Sequence, residues 1–137
     1  MNHAPLPASL RREDRRFLTG AGRFTDDLAP AGAAHALVLR SPHPHARIAR
    51  IDAAAARALP GVRAVLTAAE AAAGGLGPLP CAVPVRNRDG RPCFDPLRGL
   101  LAADRVRYVG EPVALVVAES LEAARDAAEA VEVDYLP

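Results

Sequence analysis

A chain of 137 residues has room for one hydrophobic core but not two. With half its residues apolar but only three Phe, two Tyr and no Trp, that core has to be built from Val, Leu, Ile and Ala. Seventeen arginines and no lysine against sixteen acidic residues leave a net charge of +1, too weak a field to draw in nucleic acid or an anionic membrane.

The missing lysine also excludes Schiff-base chemistry and a P-loop ammonium. No apolar run reaches the roughly 18 residues that a membrane-spanning helix needs. Arg11-Arg12 is followed by more charge instead of the apolar stretch of an export signal. Cys81 and Cys93 stand too far apart for a C-x-x-C metal or redox pair, and two thiolates do not hold an iron–sulfur cluster without outside ligands. A cytoplasmic location with reduced thiols is the expectation.

In chain order, residues 1–10 carry Pro5 and Pro7 without periodicity and read as a flexible leader. The charged block 11–16 runs into Phe17, Leu18 and a Gly20-Ala21-Gly22 break, followed by Phe24. Turns and a short extended piece with two aromatic anchors are expected there, not a helix. Residues 34–40 are rich in strand formers and stop at Ser41-Pro42. Residues 46–52 alternate imperfectly, with Ile48 and Ile51 between Arg47 and Arg50, which predicts a half-buried edge strand. Asp52 can cap a short helix over 53–59, ended by Pro60-Gly61. A strand over 62–66 follows, and then Thr67 can cap an alanine-rich turn over 68–73.

Residues 74–100 are crowded with proline and glycine around an Asp89-Gly90 turn. A long irregular excursion inside a compact domain is usually a binding segment, so a docking loop is expected here. Strands over 106–108 and 113–118 flank a tight break at Gly110-Glu111-Pro112. The second is apolar throughout, which implies burial on both faces at the centre of a sheet. Ser120 then caps a helix whose Leu121, Ala124, Ala128 and Val131 share one face, with Arg125 and Glu129 one turn apart. Residues 131–135 alternate as a half-buried strand, and the ending at Leu136-Pro137 reads as a cut point.

Chemistry-bearing groups are sparse. His43-Pro44-His45 is the only close pair of metal-ligand types, with Asp52 or His35 as conceivable additions, but two histidines around a proline more often form a rigid turn, and no metal is expected. The glycine clusters have neither dinucleotide-binding nor P-loop spacing, and no serine stands in a nucleophile elbow. Glu111 is the carboxylate of most interest, because Gly110 and Pro112 would fix it at the tip of a turn; the plain alternative is a solvated turn residue.

Taken together, these segments resemble one family. Arg11, Glu13, Asp14, Arg16, Phe17, Leu18, Thr19, Gly20, Gly22, Phe24, Asp26 and Asp27 follow the opening motif of the molybdenum-binding large subunits of xanthine dehydrogenase, aldehyde oxidase and aerobic carbon monoxide dehydrogenase. Leu39-Arg40-Ser41-Pro42-His43-Pro44-His45-Ala46-Arg47-Ile48 is similar to that family's strand and turn, and Pro60-Gly61-Val62 with Val65-Leu66-Thr67 to its next element. Val109-Gly110-Glu111-Pro112-Val113-Ala114 with Val116-Val117-Ala118 resembles its late hairpin.

The resemblance implies an α+β fold of the α/β hammerhead type: a small mixed sheet, short helices and a long Pro/Gly-rich loop, forming a single domain over residues 11–137. It further implies a non-catalytic part of a subunit that hydroxylates aldehydes or N-heterocycles, or oxidises carbon monoxide, with water as oxygen donor. The molybdopterin-type cofactor would lie in the remaining molybdenum-binding domains, and iron–sulfur clusters and FAD in partner subunits. No position here corresponds to the family's catalytic glutamate or to the groups around the metal, so no catalytic, cofactor-binding or metal residue is carried over. Gly110, Glu111 and Pro112 are expected to contact the adjoining domains. The same residues also permit a stand-alone module that assembles onto separately encoded molybdenum-binding domains.

Overall fold

The computed structural model describes residue 11 and residues 13–28, 30–81, 83 and 85–137. The leader expected over residues 1–10 lies outside them. The chain divides into two compact units, Met1–Ala33 and Ala34–Pro137.

In the first unit, a short helix α1 (Asp14–Leu18) and a single 3-10 turn (Thr25–Asp27) replace the extended piece expected from the glycines. Each is stabilised locally. The Asp14 carboxylate accepts the Arg11 N–H at 3.2 Å, and that of Asp27 accepts the Phe24 N–H at 2.8 Å. The two aromatic anchors hold each other: Phe17 and Phe24 stack with ring centroids 5.4 Å apart. Gly22 is dictated by that stack, because a Cβ there would lie 2.6 Å from a Phe17 ring carbon.

The second unit contains β1 (His35–Arg40), β2 (Ala46–Asp52), α2 (Ala54–Ala58), β3 (Val62–Thr67), α3 (Ala68–Ala73), β4 (Arg105–Val106), β5 (Pro112–Ala118), α4 (Leu121–Glu129) and β6 (Glu132–Leu136). These strands form two three-stranded antiparallel sheets, ordered β1-β5-β3 and β4-β2-β6, in place of one mixed sheet. Successive strands alternate between the sheets, so each connection crosses from one sheet to the other. This separates β4 from β5, and the expected late hairpin is not formed.

The apolar β5 is central, as its composition implies, with Val116 opposite Leu37 on one side and Val65 on the other. Val113, Ala114, Val116 and Ala118 are buried, while Leu115 and Val117 are half-buried. The second sheet brings a correction, for β2 is its centre and not an edge. Alternation reports one solvated face, which an antiparallel sheet shows at its centre as readily as at its edge. The imperfection in the pattern is a bulge: Ile48 pairs with Tyr135 and Arg50 with Asp134, leaving Ala49 as the extra residue.

Both cores are built from small side chains. Ala53, Ala56, Ala124, Ala127 and Ala128 pack with Val65 and Val116 in one, and Ala46, Ala102, Val106 and Val113 form the other. Ile51 and Val133 touch both and join them. Ser120 is the N-cap of α4 as expected, whereas the N-cap of α2 is Ala53, with Asp52 one residue before it. Ser120 Oγ accepts the Ala123 N–H at 3.1 Å, and Asp52 Oδ1 accepts the Ala54 N–H at 2.9 Å. Arg125 and Glu129, in contrast, form no ion pair, leaving both exposed on the outer face of α4.

At α3, Thr67 Oγ1 accepts the Ala69 N–H while the Glu70 carboxylate accepts the Thr67 N–H at 2.9 Å, a reciprocal capping box. Arg57 extends it, donating to Glu70 at 2.5 Å and to the Val65 carbonyl at 3.0 Å, and so ties α2 to α3 and β3.

The excursion after α3 is irregular among its described residues apart from isolated bridges. Antiparallel bridges at Leu79–Arg98 and Arg86–Pro92 nest around the Asp89-Gly90 turn, so the loop is a loose two-stranded arm. Gly90 adopts φ +81°, and its N–H donates to the Asn87 carbonyl at 2.9 Å.

Two outcomes follow from this packing. Val116→Asp should abolish the cooperative thermal melt, because an unpaired carboxylate at a fully buried site costs several kcal/mol against a total on the order of 5–15 kcal/mol. The Thr67 hydroxyl, the Thr67 N–H and Arg57 hold the Glu70 carboxyl at about 2, against its ordinary 4.5. A depressed carboxyl adds stability that is fully present above pH 4.5 and is lost as the pH falls toward 2. Glu70→Gln keeps the cap geometry without the titration, so urea unfolding should show a shallower pH dependence across that window.

Candidate interdomain joint

Two of the connections between sheets lie side by side. One runs from β1 to β2 through Ser41-Pro42-His43-Pro44-His45, the other from β4 to β5 through Arg107-Tyr108-Val109-Gly110-Glu111. A reciprocal backbone pair joins them: the Ser41 N–H donates to the Glu111 carbonyl at 3.0 Å, and the Gly110 N–H to the Ser41 carbonyl at 2.8 Å. Arg40 Nη1 adds a third bond, to the Gly110 carbonyl at 2.9 Å. Pro112 opens β5, where its carbonyl accepts the Ala102 N–H at 2.8 Å; its missing N–H is no loss at a strand's first residue.

Glu111 is neither a displayed carboxylate nor a solvated one. Its side chain is 15% exposed, accepts the Arg107 N–H and lies 3.8 Å from the Arg107 guanidinium. It closes its own turn, and the residues that protrude are Tyr108 and Val109, at 56% and 63% exposure.

Sequence reasoning passed over Ser41 as a mere strand stop. It is buried, and its Oγ accepts the His43 N–H at 3.0 Å while donating to the His43 carbonyl at 3.1 Å. Tyr135 faces the same turn, its ring tilted against His43 with centroids 4.7 Å apart. Burial pushes the Tyr135 phenol up, with a hydrogen bond to Ser41 opposing the shift. A hydroxyl directly before proline at a strand end was the available signal for a side-chain turn.

The conceivable metal set is dispersed. His43 packs on Tyr135, Asp52 pairs with Arg50 at 2.9 Å and accepts the Ala54 N–H, and His35 opens β1. Among the described residues no three His, Cys, Asp or Glu side chains gather as ligands, and no buried side-chain N or O atom lacks a partner. The joint has the chemistry of a brace.

Residues 19–137 match the family model described as "Aldehyde oxidase and xanthine dehydrogenase, a/b hammerhead domain". The chain is 44% identical over 128 residues to the nicotine 6-hydroxylase large subunit of Paenarthrobacter nicotinovorans, a match covering 92% of this chain and 15% of that protein. It is 42% identical over 128 residues to the carbon monoxide dehydrogenase large chain of Afipia carboxidovorans, covering 93% of this chain and 14% of that one. Among solved structures, quinoline 2-oxidoreductase from Pseudomonas putida 86 superposes with a TM-score of 0.80 at 45% identity, over 93% of this chain and 16% of that one. The chain thus spans about one-seventh of the length of these relatives, from 14% to 16%.

Gly110 has φ +88° with open space where a Cβ would stand. Gly110→Ala should therefore lower stability through the backbone alone, by about 1–2 kcal/mol. A drop of that size in urea unfolding is the expected result, and an unchanged midpoint would show that the turn does not adopt this conformation.

Proposed function

The chain belongs to the aldehyde oxidase and xanthine dehydrogenase family as its α/β hammerhead domain, and we propose that it is the non-catalytic hammerhead part of a molybdenum hydroxylase large subunit. The observation that carries the reading is one of proportion. A match over more than nine-tenths of this chain occupies about 15% of each relative. On this reading residues 11–137 act as one domain, since the family match runs across the boundary between the two compact units.

The chemistry belongs to the rest of the enzyme: a molybdopterin cofactor in the remaining domains of the large subunit, supporting hydroxylation of aldehydes or N-heterocycles or oxidation of carbon monoxide, with iron–sulfur clusters and FAD in partner subunits. This chain contributes surface and rigidity. Gly110, Glu111 and Pro112 brace the joint from which Tyr108 and Val109 reach toward the adjoining domains. A cytoplasmic setting is supported by two cysteines that stay unpaired, and no described helix is long and apolar enough to cross a membrane.

Purified alone, the chain should contain no stoichiometric molybdenum, iron or flavin and turn over no aldehyde, N-heterocycle or carbon monoxide. Co-expressed with the molybdenum-binding remainder of its large subunit, it should purify with it one to one. Elemental analysis, absorbance and size-exclusion chromatography check these outcomes. Metal in the isolated chain, or a remainder that ignores it, would overturn the reading.

A further inference from the structure

The arm between α3 and β4 carries two kinds of surface. Along its stem, Val83, Val85, Phe94 and Leu97 are 70%, 61%, 90% and 85% exposed, near the isolated bridges at Leu79–Arg98 and Arg86–Pro92. The Cys93 N–H donates to the Val85 carbonyl at 3.0 Å, and the Asn87 N–H to the Arg91 carbonyl at 2.7 Å, which pairs the two sides near the tip. Large apolar side chains grouped and exposed to this degree are characteristic of an interface.

The tip is different. Arg86, Arg88 and Arg91 stand there against the single acid Asp89. Arg86 Nη1 is held by the Gly90 carbonyl at 2.9 Å, and Arg91 lies 3.8 Å from Asp89. Arg88 has no ion pair among the described residues. Positive charge thus gathers at one end of an apolar stem.

We propose that this arm docks, stem and tip together, into an apolar groove whose far end is edged by carboxylates, and that the groove lies on the molybdenum-binding remainder of the same large subunit. The inference rests on the hammerhead reading above and adds to it the surface used and the chemistry of its partner. The lengths support this occupant, since the relatives have roughly six-sevenths of their chain outside the matched part. Charge complementarity fixes its character, because clustered arginines are best met by carboxylates. A second copy of this chain is the poorer occupant. Its exposed acids on α4, Glu122, Asp126 and Glu129, stand with the exposed Arg125 among them, which opposes the seating of an arginine-bearing tip.

Cys81, exposed at the base of the stem, provides a native probe. Its labelling by N-ethylmaleimide is to be timed in the isolated chain and in the complex with the remainder. Labelling in the complex should be at least tenfold slower. The triple variant Arg86→Glu, Arg88→Glu, Arg91→Glu, shown by its melt to be folded, should recover most of the free-chain rate, and added salt should speed labelling of the unaltered complex by screening its attraction. Equal rates alone and in the complex would overturn the docking arm while leaving the hammerhead reading intact. Protection indifferent to charge reversal would overturn the carboxylate-edged partner, and protection arising in the isolated chain with rising concentration would assign the groove to a second copy. Failure of any complex to form would remove the hammerhead reading and the arm's role with it.

Discussion

The reciprocal backbone pair between Ser41 and the Gly110-Glu111 segment is the constraint on which the second unit turns. Because successive strands alternate between sheets, the chain must cross repeatedly from one to the other. A crossing segment has no ladder of its own to satisfy its backbone groups. Here two crossings satisfy each other, with Gly110 in the left-handed region so that its N–H can reach the Ser41 carbonyl. Glu111, which would otherwise be a charge beside a buried strand, is consumed in closing the turn. The sheets are thereby set against one another at a joint where no buried side-chain N or O atom of the described residues lacks a partner.

Alanine determines how closely the layers approach. The fully buried side chains of greatest volume are Val106, Val113 and Val116, and α4 presents Ala124, Ala127 and Ala128 to the first sheet. A helix faced with alanine lies close to its sheet and fills the gap with backbone and methyl groups, a tight contact that tolerates little added volume. Each such contact buries little apolar area, so stability depends heavily on caps and ties: Ser120 on α4, the Thr67–Glu70 box on α3, and Arg57 across α2, α3 and β3. Of these, Ser120 and Thr67 were readable as caps in the sequence, because a capping hydroxyl is a strictly local pattern, while the parts played by Glu70 and Arg57 were not read.

Local patterns were in general the legible ones. The strands at β1, β3, β5 and β6, the α4 helix and the Asp89-Gly90 turn all follow from composition and spacing within a few residues. The partition of the strands was not legible, since no strand pairs with its neighbour in the chain and an alternating pattern does not say which sheet a strand joins. β2 misled for this reason, and its bulge at Ala49 mimicked a weak edge. α1 was missed because the Gly20 and Gly22 signals outweighed Asp14, while the helix ends before the first of them. At the candidate site, the importance of Gly110-Glu111-Pro112 could be read from its rigid flanks. That the Glu111 side chain folds back onto Arg107 instead of facing outward depends on where the chain lies four residues earlier.

The same topology explains how so small a core can bear so large an arm. Its strand pairings are all distant in sequence, so most of the ordering entropy is committed in bringing β1, β3 and β5 together, and β2 with β4 and β6. Once those ladders exist, a longer connection between α3 and β4 adds little, because each doubling of a flexible loop costs only about 0.6 kcal/mol. A segment inserted at that place is free to acquire residues that do nothing for the fold. The exposure of Phe94 and Leu97 shows that this freedom has been used, for neither side chain is buried by its own domain. On the reading proposed above, such residues act through what they meet outside the domain.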